Sequence, residues 1–163
     1  MSVLKVRIYP DPVLKQVSGP VQGLDVKCQR FIDDLVETME AYPGAIGISA
    51  PQVGVLSRII VIDVSKKIPE KSRLIMMNPV VILESDYEIS REGCMSIPDF
   101  TANVKRAQKI TVSWRDVDWL ERTTESEGLE AICIQHEIDH LNGILFLDRV
   151  TSLKSDVFTR KKR

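Results

Sequence analysis

One stretch near the C-terminal end constrains this chain more than any other part of it. It reads LEAICIQHEIDHLNG over residues 129–143, and its apolar residues recur at helical spacing on more than one side. A helix that is apolar on nearly all sides belongs inside a protein rather than on its surface. Gly143 stands where a glycine commonly ends a helix. The sequence therefore predicts a buried helix around which the rest of the chain folds.

This predicted helix carries the two histidines of the chain, His136 and His140. A spacing of four residues places both side chains on the same side of a helix. Buried imidazoles need hydrogen-bond partners or a metal ion. One turn brings the two rings close enough to share one Zn²⁺ or Fe²⁺, and Glu137 can then reach a water at the metal without being a ligand. We favour a metal site over a pair of hydrogen-bonded core histidines.

A third ligand decides the class of such a site. Metzincin proteases use a third histidine, and this chain has Phe146 at that position. Gluzincin proteases use a downstream glutamate, and none follows Glu137. Cys94 remains, in a segment that Gly93 and Pro98 predict to be an irregular loop. A small buried thiol is the usual fate of a lone cysteine, but a histidine pair that lacks a third ligand favours Cys94 as that ligand.

The other two cysteines have different expected places. Cys28 lies on the apolar side of a predicted helix and is typical of a core residue. Cys133 and Ile132 lie one turn before His136 on the same side, so they can line a pocket beside the metal. As an immediate helical neighbour of His136, Cys133 is poorly placed to complete the same tetrahedron.

The remaining secondary structure predicts an α+β fold. An amphipathic N-terminal helix is expected from Asp25, as its N-cap, to about Tyr42, before a stop at Pro43-Gly44. Strands are expected at 58–64, 73–83 and 144–150, with a hairpin formed by 109–114 and 119–123. The elements do not alternate regularly between strand and helix, which argues against a parallel α/β sheet.

Composition excludes several classes of protein. A chain of 163 residues suits one domain, and 22 basic against 23 acidic residues provide no overall field for nucleic acid or anionic lipid. No apolar run approaches the roughly 20 residues of a membrane span, and the N-terminus has no signal or transit pattern. Three cysteines are an odd number, typical of a reducing compartment. We expect a cytoplasmic protein.

Three motifs together resemble the signatures of the peptide deformylase family. They are IGISAPQVG at 46–54, EGCMS at 92–96 and QHEIDH at 135–140, and they occur in the family's order. The resemblance extends over nearly the whole chain as far as Val150. It implies a catalytic domain at 1–150, followed by a short basic tail at 151–163.

The resemblance implies a fold and an activity. Antiparallel β-sheets would pack around a central helix that bears the metal ligands. The enzyme would hydrolyse the formyl group from the N-terminal methionine of nascent polypeptides. Cys94, His136 and His140 match the family's three ligands, with water as the fourth. The metal in the cell would be Fe²⁺, which Zn²⁺, Ni²⁺ or Co²⁺ can replace.

The resemblance also implies roles for individual residues. Glu137 would act as general base and then general acid, and the Gln52 side chain and Met95 backbone N–H would stabilise the oxyanion. Backbone groups around Ile46 and Gly93 would pair with the substrate as an added strand. The expected substrate-binding residues are Ile46, Gly47, Gly93, Ile132 and Cys133.

A few positions depart from the family pattern. Ala45 replaces a usual glycine, so we expect a slightly narrower substrate cleft; Ser49 replaces a common alanine and Met95 a common leucine. The basic end at 159–163 favours a frayed tail, with contact to ribosomal RNA as the alternative. Two other functions stay open at this point: a non-catalytic metal- or peptide-binding relative of the same fold, and an endopeptidase.

Overall fold

The structure, a computed structural model, describes residues 2–160. Its helices and strands are α1 (Val26–Glu40), β1 (Gly47–Ser49), β2 (Ile59–Ile62), β3 (Leu74–Cys94), β4 (Ile97–Arg115), β5 (Glu121–Glu127), α2 (Gly128–Leu141), α3 (Leu153–Asp156) and β6 (Val157–Thr159). Every strand pairing in this set is antiparallel, in the order β1-β2-β3-β4-β5, with β6 on the free edge of β4. The predicted α+β class is confirmed.

Helix α1 is the predicted amphipathic helix. The Asp25 side chain accepts a hydrogen bond from the Cys28 backbone N–H, which satisfies one of the free donors at the helix start. Ile32, Leu35 and Met39 are buried against β1 and β2. The helix ends at Glu40, just before the predicted stop.

Helix α2 lies at the centre of the fold, as its composition requires. It packs against β4, β1 and β2, and its buried Ala131, Ile134 and Leu141 belong to the main hydrophobic core. Gly143 follows the helix with a φ of 72°, and a β-carbon there would lie 2.6 Å from the carbonyl oxygen of Lys15. A glycine is required at this position for both reasons.

Strands β3 and β4 are much longer than the sequence pattern indicated. They form one hairpin in which residues 84–108 continue the strands predicted at 73–83 and 109–114. Residues 84–91 are exposed or nearly so on both faces, so they lack the alternation of apolar and polar residues that marks a half-buried strand. The hairpin predicted at 109–123 is confirmed as β4 and β5.

The segment around Cys94 is not an irregular loop, and that prediction was wrong. Cys94 is the last residue of β3 and pairs with Ile97, the first of β4, across a two-residue turn. A register shift at Gly93 explains the misleading signal, because a glycine at a β-bulge interrupts the sequence pattern without ending the strand.

The prediction of a strand at 144–150 is also wrong. Phe146–Arg149 forms a 3-10 helix, and the Asp148 carboxylate accepts a hydrogen bond from the Leu145 backbone N–H at 2.9 Å. Leu145 and Phe146 are buried, so the apolar run reflects burial of a turn and not a strand.

The segment after Val150 contains secondary structure as far as Thr159. Helix α3 and strand β6 follow Val150, and β6 pairs with Phe100–Ala102 of β4. The last basic residues of the predicted tail, Lys161, Lys162 and Arg163, lie outside the described residues. Among residues 2–160, no helix combines the length and the apolar character needed to cross a membrane.

Candidate metal centre

The fold brings together Cys94, His136 and His140. One ligand atom from each lies within 4.8 Å of the other two, and the Cys94 Sγ to His140 Nε2 distance is 3.3 Å. All three side chains are buried. The histidines come from one face of α2, and the cysteine comes from the end of β3, 42 residues earlier in the chain than His136.

These residues suit a divalent metal ion. Zinc–sulfur and zinc–nitrogen bonds of about 2.3 and 2.0 Å place the ligand atoms of a tetrahedron about 3.3–3.8 Å apart. The 3.3 Å between Cys94 Sγ and His140 Nε2 matches this spacing. Catalytic zinc sites use three protein ligands and structural sites use four. No fourth histidine, cysteine or carboxylate joins this group within residues 2–160. The donor set therefore fits a catalytic centre.

Glu92 orients His136. Its Oε1 atom lies 2.9 Å from His136 Nδ1, and both carboxylate oxygens accept hydrogen bonds from Arg106, at 2.7 and 2.9 Å. Burial alone would raise the pKa of Glu92, but the hydrogen bonds from His136 and Arg106 outweigh it and lower that pKa to about 2. Glu92 is thus an anion that fixes the ring beside it.

Arg106 and Asp139 extend this support and were missed by the sequence analysis. Arg106 Nη1 donates to Asp139 Oδ2 at 2.7 Å, and Arg149 Nη2 donates to the other oxygen at 2.7 Å. A signal for Arg106 was present in the sequence, because it continues the two-residue spacing of Ala102 and Val104, which are buried on the same face of β4. The ion pairs with Glu92 and Asp139 raise the Arg106 pKa although burial acts to lower it.

Glu137 lies beside the centre without belonging to the ligand group. Its Oε2 atom is 4.0 Å from His136 Nε2, and its buried Oε1 atom has no hydrogen-bond partner among the described residues. Burial raises the pKa of Glu137 to about 7. A carboxylate with this pKa can both accept and release a proton near neutral pH.

Gln52 contacts the centre through its side-chain amide. Its Oε1 atom accepts a hydrogen bond from the Ser49 backbone N–H at 2.9 Å. Its Nε2 atom donates to Ser96 Oγ at 3.2 Å and to Cys94 Sγ at 3.4 Å. Met95 is the first residue of the turn that follows Cys94, so its backbone lies next to the same ligand.

The predicted substrate residues lie on two sides of the centre. Strand β1 runs so close to α2 that a β-carbon on Gly47 would lie 2.6 Å from Cys133 Sγ and 2.9 Å from Glu137 Oε2. The Cys133 thiol donates to the Ile46 carbonyl at 3.4 Å, and burial raises its pKa, which keeps it neutral. Ile132 is half-buried on α2, whereas Gly93 is exposed next to Cys94.

A buried group of one thiol and two imidazoles, with a carboxylate of raised pKa beside it, is the arrangement of a mononuclear metallohydrolase. The sequence matches the family described as Polypeptide deformylase over residues 3–156. The chain belongs to this family.

Individual relatives agree with that assignment. A peptide deformylase of Rhizobium meliloti is 47% identical over 99% of this chain and 92% of that protein. The crystal structure of peptide deformylase from Ehrlichia chaffeensis in complex with actinonin is 35% identical, with a TM-score of 0.88 over 94% of this chain and 92% of that one. The Thermotoga maritima enzyme has a TM-score of 0.85 at 33% identity, over 92% of this chain and 99% of that one.

Proposed function

We propose that the centre formed by Cys94, His136 and His140 is where this peptide deformylase removes the formyl group from the N-terminal methionine of nascent polypeptides. The observation that carries the proposal is the buried Glu137 carboxylate, which lies beside the three-ligand centre, 4.0 Å from His136 Nε2, and has one oxygen without a hydrogen-bond partner among the described residues. Formate release from a formyl-Met peptide by metal-loaded protein tests it. An absence of formate would favour a non-catalytic relative of the same fold.

Each residue of the centre has a distinct task in this reaction. A divalent metal held by the three ligands would lower the pKa of water and polarise the formyl oxygen. Glu137 accepts a proton from the attacking water and delivers it to the amine as the formyl C–N bond breaks. Formate and a free amino terminus are the products.

Gln52 and Met95 are proposed as the oxyanion donors. The Gln52 amide is held at both ends, by Ser49 and by Ser96, so little reorganisation is needed when negative charge develops on the formyl oxygen. The Met95 backbone N–H adjoins the Cys94 ligand. Its contribution is independent of the side chain, so the departure from leucine at this position is of no consequence for the chemistry.

Substrate binding is proposed on both sides of the centre. Ile46, Ile132 and Cys133 would surround the methionine side chain. The backbones at Ile46, Gly47 and Gly93 would pair with the peptide as an added strand. Because backbone hydrogen bonds do not depend on the identity of the side chains, many different nascent chains can bind. Actinonin, bound in the Ehrlichia chaffeensis enzyme, is a suitable competitor for this cleft.

Iron is the proposed metal in the cell, with Zn²⁺, Ni²⁺ or Co²⁺ as substitutes. A thiolate with two imidazoles accepts several divalent first-row ions, so availability decides which one is bound. Elemental analysis of protein purified without air, paired with the formate assay, tests this. We expect about one iron per chain in the active preparation, and zinc in its place would contradict the proposal.

We also propose that the reaction takes place in the cytoplasm, where nascent chains emerge, with the catalytic machinery within residues 1–150. The basic segment at 151–163 is proposed to contact ribosomal RNA through its positive charges. Co-sedimentation with ribosomes at increasing salt tests the second point. Binding that persists unchanged after Lys161, Lys162 and Arg163 are replaced by glutamine would contradict it.

A further inference from the structure

The Arg160 side chain lies over the backbone of Gly93. A β-carbon on Gly93 would collide with Nη2 of Arg160 and would lie 3.2 Å from its Cζ atom. The missing side chain of the glycine therefore makes room for the guanidinium. These two residues are 67 positions apart in the chain, and Gly93 immediately precedes the Cys94 ligand.

Strand β6 holds Arg160 in this place. The Arg160 backbone N–H donates to the Asp99 carbonyl at 2.8 Å, which continues the pairing between β6 and β4. Two residues earlier, Phe158 packs under Arg91, whose guanidinium carbon is 3.5 Å from the ring centroid. Arg160 and Phe158 thus reach across β4 to β3 on the same face of the sheet.

This face is opposite to the one that carries the metal ligand. Glu92 and Cys94 are buried and point towards α2, whereas Arg91 and Gly93 are exposed and alternate with them. The edge of β3 that faces away from β4 has no strand partner beyond Met77 within the described part of the chain. A peptide added along this edge would bring its own residues beside Gly93.

We propose that Arg160 is a specificity-determining residue that favours an acidic side chain at the second position of the substrate. This inference rests on the proposed function. Side chains of an added strand alternate between the two faces. With the methionine in the pocket on the metal side, the second residue points to the face on which Arg160 lies. Neighbouring strands are about 4.8 Å apart, a gap that a glutamate side chain crosses.

The charges on this face support an acidic partner. Neither Arg160 nor Arg91 forms an ion pair with a carboxylate within residues 2–160. Arg91 is held by Phe158 and by Asn103 Oδ1 at 3.5 Å, both of them uncharged. A substrate carboxylate beside Gly93 would give the Arg160 guanidinium an ion-pair partner. Exposed ion pairs are weak, so we expect a preference of about two- to five-fold.

The test compares formyl-Met-Glu-Ser with the isosteric formyl-Met-Gln-Ser. For the wild-type enzyme, kcat/KM should be about two to five times higher for the glutamate peptide than for the glutamine peptide. The difference should come from a lower KM for the glutamate peptide, and it should become smaller at high salt. Arg160→Gln should bring the ratio to about one, and Arg160→Lys should retain part of it. Lys154→Gln, which removes an exposed charge elsewhere on the same segment, should leave the wild-type ratio unchanged.

Two results would overturn the inference and are distinct from failure of the proposed function. A wild-type enzyme that shows no preference for glutamate contradicts it, and so does Arg160→Gln with the wild-type ratio. If the wild-type enzyme releases no formate from either peptide, the proposed function itself fails and this inference fails with it.

Discussion

The Nδ1 atom of His136 lies 2.9 Å from Oε1 of Glu92, and this fixes which ring nitrogen faces the metal centre. With its pKa lowered to about 2, Glu92 is ionised and can only accept hydrogen bonds. Nδ1 must therefore carry the proton, which leaves the lone pair on Nε2 for the metal. One carboxylate thus selects the tautomer that a ligand needs.

Replacing Glu92 by glutamine should weaken metal binding about 10–100-fold, because the ring loses the anion that orients it. Competition with a chelator for Ni²⁺ or Zn²⁺ measures the change. Glu88→Gln removes an exposed carboxylate from the same strand and should leave the affinity at the wild-type value. Equal affinities for the two variants would show that Glu92 does not position His136.

Arg106→Met should destabilise the protein by about 3–5 kcal/mol, because two buried carboxylates lose their shared cation. The free energy of unfolding in urea measures this. Lys105→Met, next to it on the exposed face of β4, should change that free energy far less. A loss no greater than that of the control would rule out a structural role for the buried ion pairs.

Glu137→Ala should lower kcat about 10²–10⁴-fold while the protein keeps its metal, because the residue moves protons without being a ligand. Formate release and elemental analysis on the same sample measure both quantities. Turnover at the wild-type rate would refute the assigned role, and loss of metal would show that Glu137 belongs to the ligand set.

Gly47→Ala should impair turnover, because the new methyl group would press on Cys133 Sγ and Glu137 Oε2 at 2.6 and 2.9 Å. We expect a reduction of about 10²-fold, as misplacing a catalytic group by about 1 Å commonly produces. Gly23→Ala is the matched control, since nothing lies within 4 Å of a β-carbon there and its φ is not positive. Equal activity of both variants would exclude a close approach of β1 to Glu137.

Asp116→Asn should lower stability at neutral pH but not in acid. The hydrogen bond from Arg122, together with those from the backbone of Leu120 and Asp118, lowers the pKa of Asp116 below 3.8. A lowered folded-state pKa contributes stability that is complete above the unfolded value and is lost as pH falls through the folded value. Urea unfolding measures this: the difference in the free energy of unfolding between wild type and variant should be smaller near pH 3 than at pH 7.

Asp118→Asn provides the control for this turn, because the Asp118 carboxylate makes no hydrogen bond within the described residues. Its effect should be small at both values of pH. If the difference in the free energy of unfolding between wild type and Asp116→Asn stays constant with pH, the ionised Asp116 does not stabilise the turn.

The features that could be predicted from the sequence are those that depend on residues close together in the chain. Helix α2, its two histidines and its end at Gly143 follow from spacings of three and four residues. The strand at 144–150 was predicted wrongly because Leu145 and Phe146 are buried at the start of a 3-10 helix. A buried strand and a buried 3-10 helix both require a short run of apolar residues, so the sequence pattern is the same for the two. The length of β3 and β4 was missed because residues 84–91 are exposed on both faces.

The sequence by itself determined the central helix, the pairing of His136 and His140, and the motifs that carry the family resemblance, because these depend on residues within one or two turns of each other. Only the tertiary structure decided that Arg106 joins Glu92 to Asp139, and that Arg160 covers Gly93. Those contacts join residues 14 to 67 positions apart. Which distant side chains meet depends on how the strands pair and pack around α2, and no local spacing encodes that.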